Sequence, residues 1–398
     1  MDALPIAERM QRLGTETAFE VLAKARALEA QGREIVHLEI GEPDFATPPN
    51  IVEAAKRALD GGYTHYGPSS GLLPLREAVA EDVSRSRGIQ VSPDQVVITP
   101  GAKPIIFFLM LCCLDEGDDV LYPEPGFPTY ESVASFVGAR PVPLHLREEH
   151  GFRLDLDELR AKLTPRTRML VLNSPQNPTG SILSADDLNG IAALVRGRPI
   201  VVLSDEIYRR IVYAGKAPSI ASLPGMQQQT VILDGFSKTY AMTGWRLGYG
   251  VMPEDLAQRV ARLMTNSNSC TASFVQMAGV EAIRGPQESV ALMVAEFAER
   301  RRVVVEGLNR IPGVTCSEPQ GAFYAFPNVR GLGAGSQEIA DRLLDEAGVA
   351  VLSGTSFGAF GEGYLRLSYA NSIPQLELAL ERIDGLARAL RLDARAVL

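Results

Sequence analysis

The sequence predicts an α/β protein built on a mainly parallel sheet, and three observations carry that prediction. Between about residue 70 and residue 250, short strand-like runs alternate with helical stretches, the rhythm of a chain that crosses back and forth over one sheet. Several runs, such as Met169-Leu170-Val171-Leu172, are continuously apolar instead of alternating, which is how strands covered on both faces read. A 398-residue chain with 46% hydrophobic and 22% charged residues can also bury a large core. Disorder, collagen and coiled coil are therefore excluded.

The elements follow in order. Ala18 to Gln31 reads as a helix stopped by Gly32, and Ile35 to Ile40 alternates as a short strand. Gly41-Glu42-Pro43-Asp44-Phe45 continues to Pro49 as a loop, before a helix from Asn50 to Leu59. Val96 to Thr99 is a strand, and Pro100-Gly101-Ala102 turns into an apolar helix reaching Leu114. Further strands are Val120 to Tyr122, Met169 to Leu172, Pro199 to Asp205, Val231 to Leu233 and Gly248 to Val251. Ser289 to Asn309 is a long amphipathic helix. Phe323 to Phe326, a helix near Ser336 to Ala347, the strand Tyr364 to Tyr369 and a last helix after Ser372-Ile373-Pro374 make a smaller α+β unit.

Composition narrows the function. The net charge of −9 disfavours binding nucleic acid or an anionic membrane through the overall field. The longest apolar run, Ile105 to Leu114, falls short of the roughly 20 residues of a spanning helix. No basic stretch followed by an apolar core opens the chain, so no secretory signal is expected. Cys112, Cys113, Cys270 and Cys316 form no CxxC, and the expectation is a reduced, cytoplasmic protein with buried thiols. His37, His65, His145 and His150 have no metal-ligand spacing, so no metal site is expected. Only six lysines stand against 33 arginines, which makes a lysine inside a motif conspicuous.

Ligands in open α/β sheets sit beyond the carboxyl ends of the strands. Gly101-Ala102-Lys103 follows one such end and opens a helix, a place where small residues and free amides suit an anion; an ordinary turn reads the same way. Asn173-Ser174-Pro175-Gln176-Asn177-Pro178-Thr179-Gly180 follows another, with Asn177 held by Pro178 or the loop merely architectural. Ser204-Asp205-Glu206-Ile207-Tyr208 puts a carboxylate at the end of a buried strand, which needs a cation, from the protein or from a ligand. In Ser237-Lys238-Thr239-Tyr240-Ala241-Met242-Thr243-Gly244-Trp245-Arg246, Lys238 sits among apolar and small residues, where desolvation makes an amine nucleophilic. Arg246 offers a fork for phosphate. An imine-forming lysine, an acid for a pyridinium and an arginine for phosphate are jointly what pyridoxal phosphate requires.

These segments resemble the class I/II aminotransferases of pyridoxal-phosphate fold type I. Gly41-Glu42-Pro43-Asp44-Phe45, Asn177-Pro178-Thr179-Gly180, Ser204 to Tyr208, Ser237-Lys238 with Thr243 to Arg246, and Arg366-Leu367-Ser368-Tyr369 match in order and rough spacing, over about Thr17 to Leu390. The resemblance implies a mainly parallel seven-stranded sheet flanked by helices. It also implies a large cofactor domain at 48–288 and a small α+β domain made of 1–47 and 289–398. Lys238 would be the Schiff-base lysine and would later move the proton between Cα and the cofactor. Asp205 would pair with the pyridinium nitrogen, and Tyr208 and Asn177 would hydrogen-bond the ring oxygen. Arg246, Gly101, Ala102 and Lys103 would form the phosphate end, and Phe127 would stack on the ring. Arg366, with Gly41 and Asn177, would take the substrate α-carboxylate. Tyr66 would reach the partner's phosphate in a homodimer.

Two departures stand out. Gly235 occupies a position where many relatives carry a phosphate-binding serine, and Lys103 ends a segment that usually reads Ser-Gly-Thr. In one bacterial aspartate aminotransferase subgroup a lysine here reads the distal carboxylate of acidic substrates, so aspartate or glutamate with 2-oxoglutarate or oxaloacetate is expected; alternatively Lys103 only neutralises phosphate. Phe19, Phe127 and Phe357 would equally suit aromatic or aliphatic side chains, alanine included. Arg366, flanked by Leu365 and Leu367, also reads as a solvent-facing residue of an edge strand. A carbon-sulfur lyase on the same fold shares the motifs. A ligand-sensing regulator would need an added DNA-binding domain, for which about 40 residues before Gly41 are too few. Gly331-Leu332-Gly333-Ala334-Gly335 reads as a surface loop, without the strand and later acid of a dinucleotide site.

Overall fold

The structure, a computed structural model, describes residues 4–396. Its centre is a seven-stranded sheet. The strands are β1 (Val96–Thr99), β2 (Asp119–Glu124), β3 (Arg140–His145), β4 (Thr167–Asn173), β5 (Val201–Asp205), β6 (Thr230–Gly235) and β7 (Gly248–Val251), in the spatial order β1-β7-β6-β5-β4-β2-β3. Strands β3, β2, β4, β5 and β6 run parallel. Of these, β2, β4, β5 and β6 are buried on both faces, which explains their largely apolar runs. Strand β7 is antiparallel to both neighbours. The link 236–247 between β6 and β7 contains turns and no helix, so the chain folds straight back instead of crossing over.

Most predicted elements lie within two or three residues of their structural positions. Strand β3 was not legible. Its sequence Arg-Pro-Val-Pro-Leu-His carries two prolines, and such a strand is tolerated only at an edge, where β3 lies. The predicted strand Ile35 to Ile40 shortens to Val36–His37, paired with Val349–Ala350. Glu288–Arg310 packs against the closing helix Ile373–Ala396. Residues from both ends of the chain share one apolar cluster that includes Val36, Leu38, Phe297, Phe323, Tyr369 and Ile383. Leu365–Ser368 is the middle strand of a three-stranded antiparallel sheet, between Leu352–Ser353 and Tyr324–Ala325. The four thiols are free; Cys316 is buried and the other three are half-buried, a partial correction to the expectation of buried thiols. Among the described residues no helix is long and apolar enough to cross a membrane, and no cluster of side chains is suited to a metal.

This architecture places the functional loops together. Asn173 pairs in register with Asp205, and Asp205 with Leu233. The ends of β4, β5 and β6 therefore lie side by side and release their loops into one crevice.

Candidate active site

A cavity of about 530 Å³ opens beyond these strand ends. Gly41, Ala102, Lys103, Phe127, Asn177, Asp205, Tyr208, Lys238, Arg246 and Arg366 all line it. Two expected residues do not. Gly101 stands behind the wall, and Tyr66 is 89% exposed on the surface. Phe357 also lies off the wall, packed 5.0 Å from the Arg366 guanidinium.

Asp205, the last residue of β5, is 5% exposed. One carboxylate oxygen accepts from the Tyr130 hydroxyl at 2.6 Å, the other from the Ile207 amide at 3.2 Å. Burial pushes this acid up to about 6 against those two donors, and nearby Asp234 and Glu206 push the same way. No ion-pair partner meets it among the described residues, so the cavity offers a buried acid awaiting a cation.

Lys238 opens onto the same space. Its amine donates to the Gly41 carbonyl. Desolvation lowers it to about 8, with Arg366 and Arg246 adding to the fall and Glu42 and Glu16 opposing it. An amine near that value is neutral often enough near pH 7 to act as nucleophile and base. Gly41 itself has a steric reason: a Cβ there would lie 2.1 Å from the Tyr324 hydroxyl.

Arg246 adopts φ +55°, a left-handed conformation uncommon outside glycine, and its guanidinium donates to the Thr243 carbonyl at 2.7 Å. Gly101, at φ +87°, lets that guanidinium approach; a Cβ would come within 2.2 Å of it. Gly248 does the same one strand over, where a Cβ would lie 2.3 Å from the Ala102 amide. Gly235 is explained in the same terms. It pairs with Gly248, and a Cβ would sit 3.0 Å from the Gly248 Cα, so a serine there would be crowded and would need its neighbours to give by a few tenths of an ångström. Trp245 turns the other way, into the core, with its ring N–H on the Thr47 hydroxyl at 2.9 Å.

Arg366 is 4% exposed, on a central strand, which corrects the solvent-facing edge-strand alternative. It donates to the Glu39 carbonyl and to Asn177 Oδ1 at 3.4 Å, and stacks 4.6 Å from the Tyr324 ring. Its Nε–H is buried without a partner, and the residue lines the cavity. The Tyr208 and Tyr324 hydroxyls meet at 2.7 Å.

Sequence reasoning missed four contributors. Tyr130 lies in the first turn of the helix Thr129–Phe136, shortly after the strand that ends at Glu124, and gave no chemical signal of its own. Tyr324 belongs to the run Phe323 to Phe326, whose side chains gave no chemical signal. Glu16 precedes the first long helix and pairs with Lys103. Asn173 accepts from the Asn177 amide at 2.9 Å and donates to the Asp205 carbonyl at 3.2 Å, tying the two loops together; its place at the strand end was the available hint.

The family model of aminotransferase class I and II matches residues 33–383. The chain belongs to the class I and II aminotransferases. This aminotransferase is 42% identical over 383 residues to an aspartate aminotransferase of Pyrococcus horikoshii, covering 95% of this chain and 96% of that protein. It is also 42% identical over 368 residues to aromatic-amino-acid aminotransferase 2 of Thermococcus litoralis, covering 91% and 94%. Among solved structures, an aspartate aminotransferase from Thermus thermophilus with maleate superposes with a TM-score of 0.92 at 36% identity, over 96% of this chain and all of that one. The aminotransferase depends on pyridoxal 5′-phosphate, and the residues present fit that group. Asp205 is a buried acid lacking a cation, Lys238 is a depressed amine, and Arg246 and the Ala102 amide each lie close against a glycine, Gly101 and Gly248.

Proposed function

We propose that this aminotransferase moves amino groups between aspartate or glutamate and the keto acids 2-oxoglutarate and oxaloacetate. The observation that carries this reading is Lys103, a cation left over on the cavity once Lys238 and Arg246 are given to the cofactor and Arg366 to the α-carboxylate. A dicarboxylic substrate matches two such groups, whereas one carboxylate needs only Arg366.

Each residue has a physical task in this account. Arg366 grips the α-carboxylate through its guanidinium fork, which lines the cavity. Asn177 is held by Asn173 and in turn fixes Arg366, so the carboxylate and the ring oxygen are addressed from one loop. Lys238, when neutral, takes the Cα proton on Nζ and returns it, and the Gly41 carbonyl orients that amine. Tyr208, backed by Tyr324, donates toward the ring oxygen. Asp205, held by Tyr130, supplies the negative charge that keeps a ring nitrogen protonated. Arg246, Gly101 and Ala102 anchor phosphate, and Phe127 covers the ring face. Pyridoxal phosphate, when bound, supplies the electron-withdrawing ring on which the amino group is exchanged. Residues 48–288 make the cofactor domain, and 1–47 with 289–398 the small one. Tyr66, exposed in the single chain, fits a role in a partner's phosphate site within a cytoplasmic homodimer.

Phe19, Ile106 and Phe127 on the same wall favour a second reading, uncharged aromatic or aliphatic side chains, and the Thermococcus litoralis relative supports it. A panel of amino donors against 2-oxoglutarate, oxaloacetate and pyruvate separates the two. Aspartate and glutamate are expected to lead, and Lys103→Ala is expected to lower aspartate turnover far more than alanine turnover. Equal losses would leave Lys103 as a phosphate neighbour only.

A further inference from the structure

The cavity contains an anion for which the reaction has no task. Glu16, immediately before the helix Thr17–Glu29, lines the same space as Lys103 and Arg366, and its carboxylate pairs with the Lys103 ammonium. The Glu16 side chain is 23% exposed and that of Lys103 47%, so the pair stands where the cavity meets solvent. The backbone just before it is pinned: the Gly14 amide donates to the Ser132 hydroxyl at 2.9 Å, and that hydroxyl donates back to the Gly14 carbonyl at 3.2 Å. Lys103 also lies 5.3 Å over the Phe127 ring. While paired, it offers an incoming side chain its methylene stem and an aromatic face.

A dicarboxylic substrate brings two anions, and the group suited to the second is already occupied. We propose that Glu16 is the counter-ion that a substrate's distal carboxylate displaces from Lys103, so that Glu16 sets how strongly the enzyme prefers acidic over uncharged side chains. The inference rests on the acidic-substrate reading above. Exchanging one carboxylate for another leaves the charge balance around Lys103 unchanged, so part of the attraction between Lys103 and substrate is spent releasing Glu16. An uncharged side chain leaves the pair closed and slides along its apolar flank. Partial exposure keeps the pair weak enough to open, because water screens it.

The test is the first half-reaction of the holoenzyme, followed in single turnovers through the visible band of the bound cofactor. Aspartate and phenylalanine are compared as donors in the native protein, Glu16→Gln, Lys103→Met and the double variant. Glu16→Gln is expected to raise the aspartate-to-phenylalanine ratio of kmax/Kd about fivefold, which is about 1 kcal/mol at 1.36 kcal/mol per decade. Lys103→Met is expected to collapse that ratio, and adding Glu16→Gln to it is expected to change nothing further. An unchanged or lower ratio in Glu16→Gln, with Lys103→Met still selective against aspartate, overturns the role of Glu16 while leaving that of Lys103 intact. Equal loss of both donors in Lys103→Met instead removes the acidic-substrate reading, and this inference with it. An equal gain for both donors in Glu16→Gln also overturns the proposal, since it marks a general field on Arg366.

Discussion

Replacing Tyr130 by phenylalanine removes one hydroxyl from the protein, and that hydroxyl is one of two donors that the Asp205 carboxylate accepts from among the described residues. Both side chains are buried. A hydrogen bond to a charged group contributes about 1.5–3 kcal/mol. At 1.36 kcal/mol per pKa unit, its loss raises the acid by about one to two units. Asp205 starts at about 6 in the cofactor-free chain, so the variant should titrate at about 7 to 8. At pH 7 its ionised fraction then drops from about nine tenths to about half or less. Only the ionised acid pairs with a pyridinium, so cofactor affinity at pH 7 should weaken by about twofold to tenfold, and the affinity-pH curve should move upward by the same one to two units. The assay is titration of pyridoxal phosphate into cofactor-free native and Tyr130→Phe protein from pH 5 to 9. A curve that stays in place, or moves to lower pH, refutes the argument that Tyr130 keeps this acid ionised.

Other consequences are equally open to measurement. In the cofactor-free protein Asp205 binds its proton more tightly when folded than when unfolded, so its stabilising contribution is complete below about pH 4 and is lost as the pH rises through about 6, amounting to about 3 kcal/mol; thermal midpoints across that window should fall, and Asp205→Asn should flatten the fall. An amine-directed reagent should modify Lys238 in the cofactor-free protein with a half-point near pH 8, ahead of the other five lysines. Gly101→Ala places a methyl against the Arg246 guanidinium and should weaken cofactor binding about tenfold or more, read by equilibrium dialysis. Arg87, buried and 2.9 Å from both Glu206 and Asp234, neutralises two acids beside the strand ends; Arg87→Leu removes their salt-bridge partner, leaves only the field of Arg209 on them and should cost about 3 kcal/mol, seen as a lower melting temperature.

What was legible in the sequence came from loops with restricted chemistry. Lys238, Asp205, Asn177 and Arg246 lie where a strand ends, and the α/β rule says to look there. Gly41, Gly101 and Gly248 were legible as glycines, but what their missing Cβ atoms make room for is visible only in three dimensions. Arg366 was ambiguous because alternation along Leu365-Arg366-Leu367 describes a face, not what covers it; a neighbouring strand on each side and the Tyr324 ring decide the matter. Tyr130 and Tyr324 act through partners 75 and 116 residues away in the chain, Asp205 and Tyr208, and no local pattern encodes such pairs. Glu16 escaped for the same reason, lying 87 residues from Lys103. Strand β3 was hidden by its prolines, which oppose strand propensity and are permitted only by its edge position.

The account depends on Lys238 being the amine that holds the cofactor in a cavity where Asp205 awaits the ring nitrogen. Borohydride reduction of the holoenzyme followed by peptide mapping tests this most directly, because only six lysines compete. One pyridoxyl group per chain on Lys238, absent after Lys238→Ala, is the predicted result. A pyridoxyl group on Lys103 or any other lysine, or none at all, would contradict it.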